Sequence, residues 1–183
     1  MSIYTRNSDP NFWNVDRKNC NCGSFALDLT TWYNPYLSNQ LEERMMPESA
    51  YTYDTRHDLI EDLLDDDYSE EEIVEELLER DWEFILNSCP FLTPIQLEDA
   101  KDEDRVIAYR IMIDFVENRY GERFIEDMDF HFRVRMNGIW MEKCGAGPIK
   151  ILGEDIEESP WRYPGLLYRG PIKYAKFKEE CAA

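Results

Sequence analysis

The chain has 183 residues, 43% of them apolar and 14% aromatic, which is enough to bury one core and too many for a disordered tail. Thirty-nine acidic against 20 basic side chains leave a net charge of −19, a field that repels nucleic-acid phosphates and anionic membrane surfaces and attracts basic partners. No segment approaches the ~20 apolar residues of a membrane span, and Met1 to Asp16 carries no apolar h-region. With five cysteines, an odd number, the expectation is a reduced cytoplasmic protein with neither nucleic acid nor membrane as partner.

Residues 1–19 are rich in turn formers (Asn7, Asp9, Pro10, Asn11, Asn14) and read as irregular. A helix is expected from Cys22 to about Trp32, stopped by Asn34-Pro35. Residues 34–55 read as a loop with a helical turn at Leu41 to Met46. Between 56 and 87 the chain is strongly acidic. Leu59, Ile60, Leu63 and Leu64 repeat at helical spacing, and Ser69 with Glu72 makes a capping-box pattern. Ile73, Val74, Leu77, Leu78, Trp82, Ile85 and Leu86 then form an apolar stripe. Two amphipathic helices with solvated acidic faces explain this stretch. A surface that binds a basic partner or mimics a polyanion also explains it.

Thr93-Pro94 reads as a helix start, and a further helix is expected over 102–118 with Val106, Tyr109, Ile113 and Val116 inward. From Asp129 onward the pattern turns to period two. Phe130, Phe132, Val134 and Met136 alternate with Asp129, His131, Arg133 and Arg135, and Asn137-Gly138 signals a two-residue hairpin. Ile139 to Cys144 returns. Ile149 to Leu152 is a third strand, and Leu166 to Phe177 a last one interrupted at Pro171. Helices first and an antiparallel sheet afterwards argue an α+β fold, one domain over 1–183 with an acidic helical insert at 56–118.

A turn at 137–138 pairs Met136 with Ile139, Arg135 with Trp140, Arg133 with Glu142 and His131 with Cys144. His131, Arg133, Glu142 and Cys144 therefore share a face, with the phenylalanines on the other. His131 and Glu142 are diagonal neighbours, so a carboxylate can orient the imidazole. Of the two histidines, His57 lies beside Asp58 on an acidic helix and reads as a solvated surface residue. His131 is the candidate base, or a strand histidine bonded to Glu142 for stability alone. Cys22, at a helix start, is the candidate nucleophile, because partial positive charge there favours the thiolate and its own N–H can serve an oxyanion. A buried structural cysteine is the plainer reading of the same residue. Cys144 ranks second and Cys20 third. Cys20, Cys22, Cys144 and His131 also have the chemistry of a Cys3His zinc site, although Cys-x-Cys is not the usual knuckle spacing.

Asn21-Cys22-Gly23-Ser24-Phe25-Ala26-Leu27, Asp129-Phe130-His131-Phe132 and Gly138-Ile139-Trp140 with Lys143 and Gly145 together resemble a group of microbial and phage proteins with papain-like cysteine-hydrolase architecture, similar in layout to NlpC-type peptidases. About 30 residues carry the resemblance. It implies that N-terminal helices pack on a C-terminal antiparallel sheet, with Cys22 as nucleophile, His131 as base and Glu142 in the third position. Related hairpins tend to carry His where Glu142 stands and often Pro where Cys144 stands, and the 56–118 segment has no counterpart in them.

The expected function is a cysteine hydrolase that cleaves or transfers an amide bond in a peptide, an isopeptide or a peptidoglycan stem. It would use Cys22, His131 and Glu142, with no cofactor and no metal. The charge favours a basic peptide or protein substrate over an anionic wall polymer. An oxyanion donor is sought in the Cys22 N–H, with a side chain from residues 14–19. The alternatives are an acidic, non-catalytic interaction or inhibitor protein, phage-encoded in one version, that binds a basic partner, and a Cys3His zinc-stabilised binding module.

Overall fold

A computed structural model describes residues 22–27, 53–144, 149–163 and 166–178. The expectations for residues 1–19, for 28–52 and for Cys20 fall outside these. Among the described residues there are three α-helices: α1 (Cys22–Leu27), α2 (Tyr53–Asp65) and α3 (Glu70–Ser88). The strands are β1 (Leu92–Ile95), β2 (Val106–Glu117), β3 (Arg123–Met136), β4 (Ile139–Lys143), β5 (Ile149–Gly153), β6 (Arg162–Tyr163), β7 (Leu166–Leu167) and β8 (Arg169–Phe177). Six of them form an antiparallel sheet in the order β1-β8-β2-β3-β4-β5, and β6 pairs with β7 as a separate ribbon. The fold is α+β.

The α3 start is the capping box. Ser69 Oγ accepts from the Glu72 N–H, and the Glu72 carboxylate accepts from the Ser69 N–H. Ile73, Val74, Leu77, Leu78, Trp82 and Ile85 bury one stripe of the helix against β2 and β8. That stripe also carries Asp81, which is buried and takes two hydrogen bonds from Arg56 of α2, at 2.7 and 2.8 Å, and one from the Tyr109 hydroxyl at 2.7 Å. The acidic helices are thus solvated on their outer faces, joined to each other by a buried ionic contact and tied to β2 by the Tyr109 hydroxyl.

Two helices expected from sequence are strands. Residues 102–118 hold β2 from Val106 to Glu117, and the Thr93-Pro94 step lies in β1. The α-helical part of the 56–118 segment therefore ends at Ser88, and the rest supplies a short 3-10 turn (Leu97–Asp99) and part of the sheet itself. β2 lies at its centre with both faces covered. Ile107, Tyr109, Ile111 and Ile113 join the core under the helices, while Val106, Ala108 and Met112 join a second core with Trp140, Ile156, Trp161 and Tyr168. A strand buried on both sides shows no polar alternation, so its apolar run passes for a helix. β1 is an edge strand, where proline costs no ladder hydrogen bond. β8 runs through Pro171.

The hairpin keeps its expected register through Met136–Ile139, Arg135–Trp140 and Arg133–Glu142. Asn137 and Gly138 both take positive φ (51° and 78°), as a two-residue turn of this hand requires. The ladder stops at Arg133–Glu142, so His131 and Cys144 are not a ladder pair.

Candidate functional site

The site lies where β4 leaves β3. His131 and Arg133 point to the sheet face away from the helices, because Phe130, Phe132 and Val134 take the other. Glu142, opposite Arg133, shares that face. His131 Nε2 stands 3.0 Å from Glu142 Oε2, and their side chains are 11% and 10% exposed. With the carboxylate ionised, Nε2–H is the donor, and in the neutral ring Nδ1 is then the nitrogen that can accept a proton. Glu142 Oε2 also accepts from Arg133 Nε at 3.0 Å.

Burial works against the charge on Glu142. The hydrogen bond and charge of His131 and the guanidinium of Arg133 outweigh it and hold the carboxyl down to about 2. Arg133 is itself fully buried and anchored by the carbonyls of Ile156, Ser159 and Pro160. Its guanidinium lies 4.1 Å from the Trp161 ring centroid, and Trp161 meets the His131 ring edge-on at 5.9 Å. Tyr168 forms a further wall at 6.0 Å and donates to Asp129 Oδ2 at 3.0 Å. Burial raises the Asp129 carboxyl above the usual aspartate range, against the opposing pull of the Phe130 N–H, the Tyr168 hydroxyl and His131. Among the described residues the buried indole Nε1 of Trp161 has no hydrogen-bond partner.

Cys22 opens α1, which packs on β3 and β4. The backbone N–H of Phe132, the neighbour of His131, favours the Cys22 thiolate, while Asp129 and Cys144 oppose it. The side chain is 6% exposed and belongs to the core on the helical face. The acidified thiol expected at a helix start is not what the fold makes. Burial pushes the Cys22 thiol far up, more than the Phe132 and Gly23 N–H groups lower it. Among the described residues no hydrogen bond joins Cys22 to the His131 ring.

Cys144, half-buried, lies 3.7 Å from Glu142 Oε1 and is also raised, by burial first and then by the Glu142 charge. Among the described residues two groups have the spacing to hold a metal ion: His131, Glu142 and Cys144, and the more exposed His57, Asp58 and Glu61, the three ligand atoms of each lying within 4.8 Å of one another. Cys22 is in neither, so the expected Cys3His set does not gather, and Cys20 lies outside the described residues. His57 is half-buried at the surface, 3.5 Å from Glu61 one helical turn on.

Sequence reasoning placed Arg133 on this face without giving it a role, although the cross-strand register to Glu142 was the signal for one. Trp161 and Tyr168 come from a segment whose sequence shows no pattern tying it to the hairpin. No protein-family model, curated protein or solved structure matches the chain. Among the described residues no helix is long and apolar enough to cross a membrane.

Proposed function

We propose that the protein is a thiol-dependent amide hydrolase of papain-like layout, with Cys22 as nucleophile, His131 as base and Glu142 orienting the base. The observation that carries the reading is the His131–Glu142 pair at 3.0 Å, one residue along β3 from Phe132, whose backbone N–H lowers the Cys22 thiol against its burial. The sulfur rests in the core on the helical face and the ring on the other, so catalysis requires Cys22 to reach Nδ1 at the edge of β3 where β4 leaves it. Nε2 is committed to the carboxylate, and Nδ1 then takes the thiol proton as sulfur attacks the substrate carbonyl and returns it to the departing amine. Water then releases the acyl group from the thioester by the same route. Glu142 stabilises the imidazolium that forms in each half-reaction. A thiol stored protonated in a buried site loses its proton together with attack rather than before it. The resting protein should therefore react slowly with simple alkylating agents. An acyl-type probe carrying a basic peptide should acylate Cys22, with labelling lost in Cys22→Ala and in His131→Ala. Acylation that survives Cys22→Ala, or that is unchanged in His131→Ala, overturns the assignment.

The raised Cys22 thiol favours a second reading, an interaction protein without chemistry. A groove along α3 supplies its surface: Glu76, Glu79, Arg80 and Glu83 line it with Leu86 and the edge of the buried Trp82, Glu76 being paired with Arg80 and Glu79 with Lys173. A basic peptide would bring charge for the carboxylates and apolar side chains for the floor. Salt-sensitive binding of such a peptide that is unchanged by Cys22→Ala, with no acylation of Cys22, would replace the hydrolase reading by this one.

A further inference from the structure

The geometry points to a second use of the same cluster: His131, Glu142 and Cys144 form a binding site for one divalent cation of the zinc class. Imidazole nitrogen, carboxylate oxygen and thiolate sulfur are the three donor types that zinc takes from proteins. With zinc about 2.1 Å from nitrogen and oxygen and about 2.3 Å from sulfur, tetrahedral neighbours stand about 3.4 Å apart for N···O and about 3.6 Å for S···O. The His131 Nε2 to Glu142 Oε2 separation is 3.0 Å and the Cys144 Sγ to Glu142 Oε1 separation is 3.7 Å. These two separations run to different oxygens of Glu142, and the three donors lie within 4.8 Å of one another, so closing on one cation takes a turn of the carboxylate and a movement of about 1 Å.

Three protein ligands leave a fourth position for water or a substrate group, the pattern of an open rather than a closed zinc site. The surroundings suit a ligand set. Arg133 holds Glu142 in place by donating to Oε2, and ligating carboxylates are commonly hydrogen-bonded in this way. Its own charge is spread over three backbone carbonyls. The rings of Trp161 and Tyr168 fix the imidazole plane. A dication with the Glu142 carboxylate and the Cys144 thiolate makes a neutral unit, so the Arg133 guanidinium beside it keeps one positive charge, which the carbonyls of Ile156, Ser159 and Pro160 solvate.

The consequence for catalysis rests on the hydrolase reading. A cation on Nε2 leaves the remaining ring proton on Nδ1, so His131 can no longer accept the Cys22 proton. It also takes Glu142 from its orienting task. Metal occupancy and thiol chemistry would exclude each other, and free metal would switch the enzyme off.

Binding is tested without activity. Reduced protein, its five cysteines confirmed as free thiols after denaturation, is titrated with Co2+ alone. The expected result is one Co2+ per chain with a thiolate-to-cobalt charge-transfer band, lost in Cys144→Ala and His131→Ala and kept in Cys22→Ser. In wild-type protein, where no variant has to fold, Zn2+ should slow alkylation of Cys144 as read by peptide mass spectrometry. No cobalt band in fully reduced wild type, or protection and band that follow Cys22 instead of Cys144, overturns the proposal. The acyl-probe experiment on metal-free protein tests the hydrolase reading separately, so either can fail alone.

Discussion

Arg133 Nε and His131 Nε2 converge on one atom, Glu142 Oε2, each at 3.0 Å. The carboxylate is therefore held from two sides, by a fully buried guanidinium that cannot lose its charge and by the ring it orients. Replacing Arg133 with Met should destabilise the protein by about 3–5 kcal/mol, because a buried carboxylate loses its fixed counter-charge and three carbonyls lose their donor. Urea midpoints at constant slope would measure it, and a loss under about 1 kcal/mol would mean that solvent replaces the guanidinium.

The same pair sets an acid limit. The Glu142 carboxyl is lowered from its ordinary 4.5 to about 2 in the folded chain. The native state thus binds fewer protons there than the unfolded state as pH falls, and the stability this group contributes is full above 4.5 and drains away toward about 2. The stability difference between wild type and Glu142→Gln should narrow across that window and stay constant above it. A difference that does not change with acidification would show the carboxyl titrating at its usual value.

Under the helices, Asp81 accepts from Arg56 and from the Tyr109 hydroxyl. Asp81→Ala leaves a buried guanidinium and a buried hydroxyl short of their acceptor and should cost about 3–5 kcal/mol. The double change Arg56→Met, Asp81→Leu should recover much of that, since an apolar pair avoids both desolvation penalties. A double variant no more stable than Asp81→Ala would show that the ionic contact specifies the packing of α2 on α3.

Gly170, at φ +76°, faces α3 so closely that an added Cβ would stand 2.7 Å from Val74 Cγ1. Gly170→Ala should destabilise by about 1–3 kcal/mol through overpacking and the left-handed backbone together. The pair Gly170→Ala, Val74→Ala should regain the steric part. Thermal unfolding of the two variants separates the contributions.

Ser69→Ala removes one half of the α3 capping box and should cost about 1 kcal/mol. Ser69→Asp keeps an acceptor at that position and should restore it. Both are read by chemical denaturation, and no loss in Ser69→Ala would mean that water caps the helix as well.

Legibility followed the locality of the signal. The Asn137-Gly138 turn sets the register of the hairpin, so three ladder pairs and the shared face of His131, Arg133 and Glu142 could be read from spacing alone. The capping box set the start of α3 in the same way. β2 could not be read by alternation, since Ile107 and Ala108 are both buried, on opposite faces. The signal that was there is β-branching: Val106, Ile107, Ile111, Ile113 and Val116 crowd one short run. The state of the Cys22 thiol was out of reach for a different reason. A helix start is local, but burial comes from strands more than 100 positions away, and desolvation exceeds the pull of a six-residue helix. Asp81 was hidden likewise, because nothing in an acidic helix marks which carboxylate will face inward.

β8, the final strand in chain order, is threaded between β1 and β2. The pairs β2–β3, β3–β4 and β4–β5 can form in the order of synthesis, but the β1 side of the sheet cannot. Until residues 169–177 have left the ribosome, β1 has no neighbour and one border of β2 presents bare amides and carbonyls to other chains. Clipping residues 169–177 would cast off β1 as well, since β8 is its strand neighbour, and would leave β2 to β5 as a smaller sheet with a raw border.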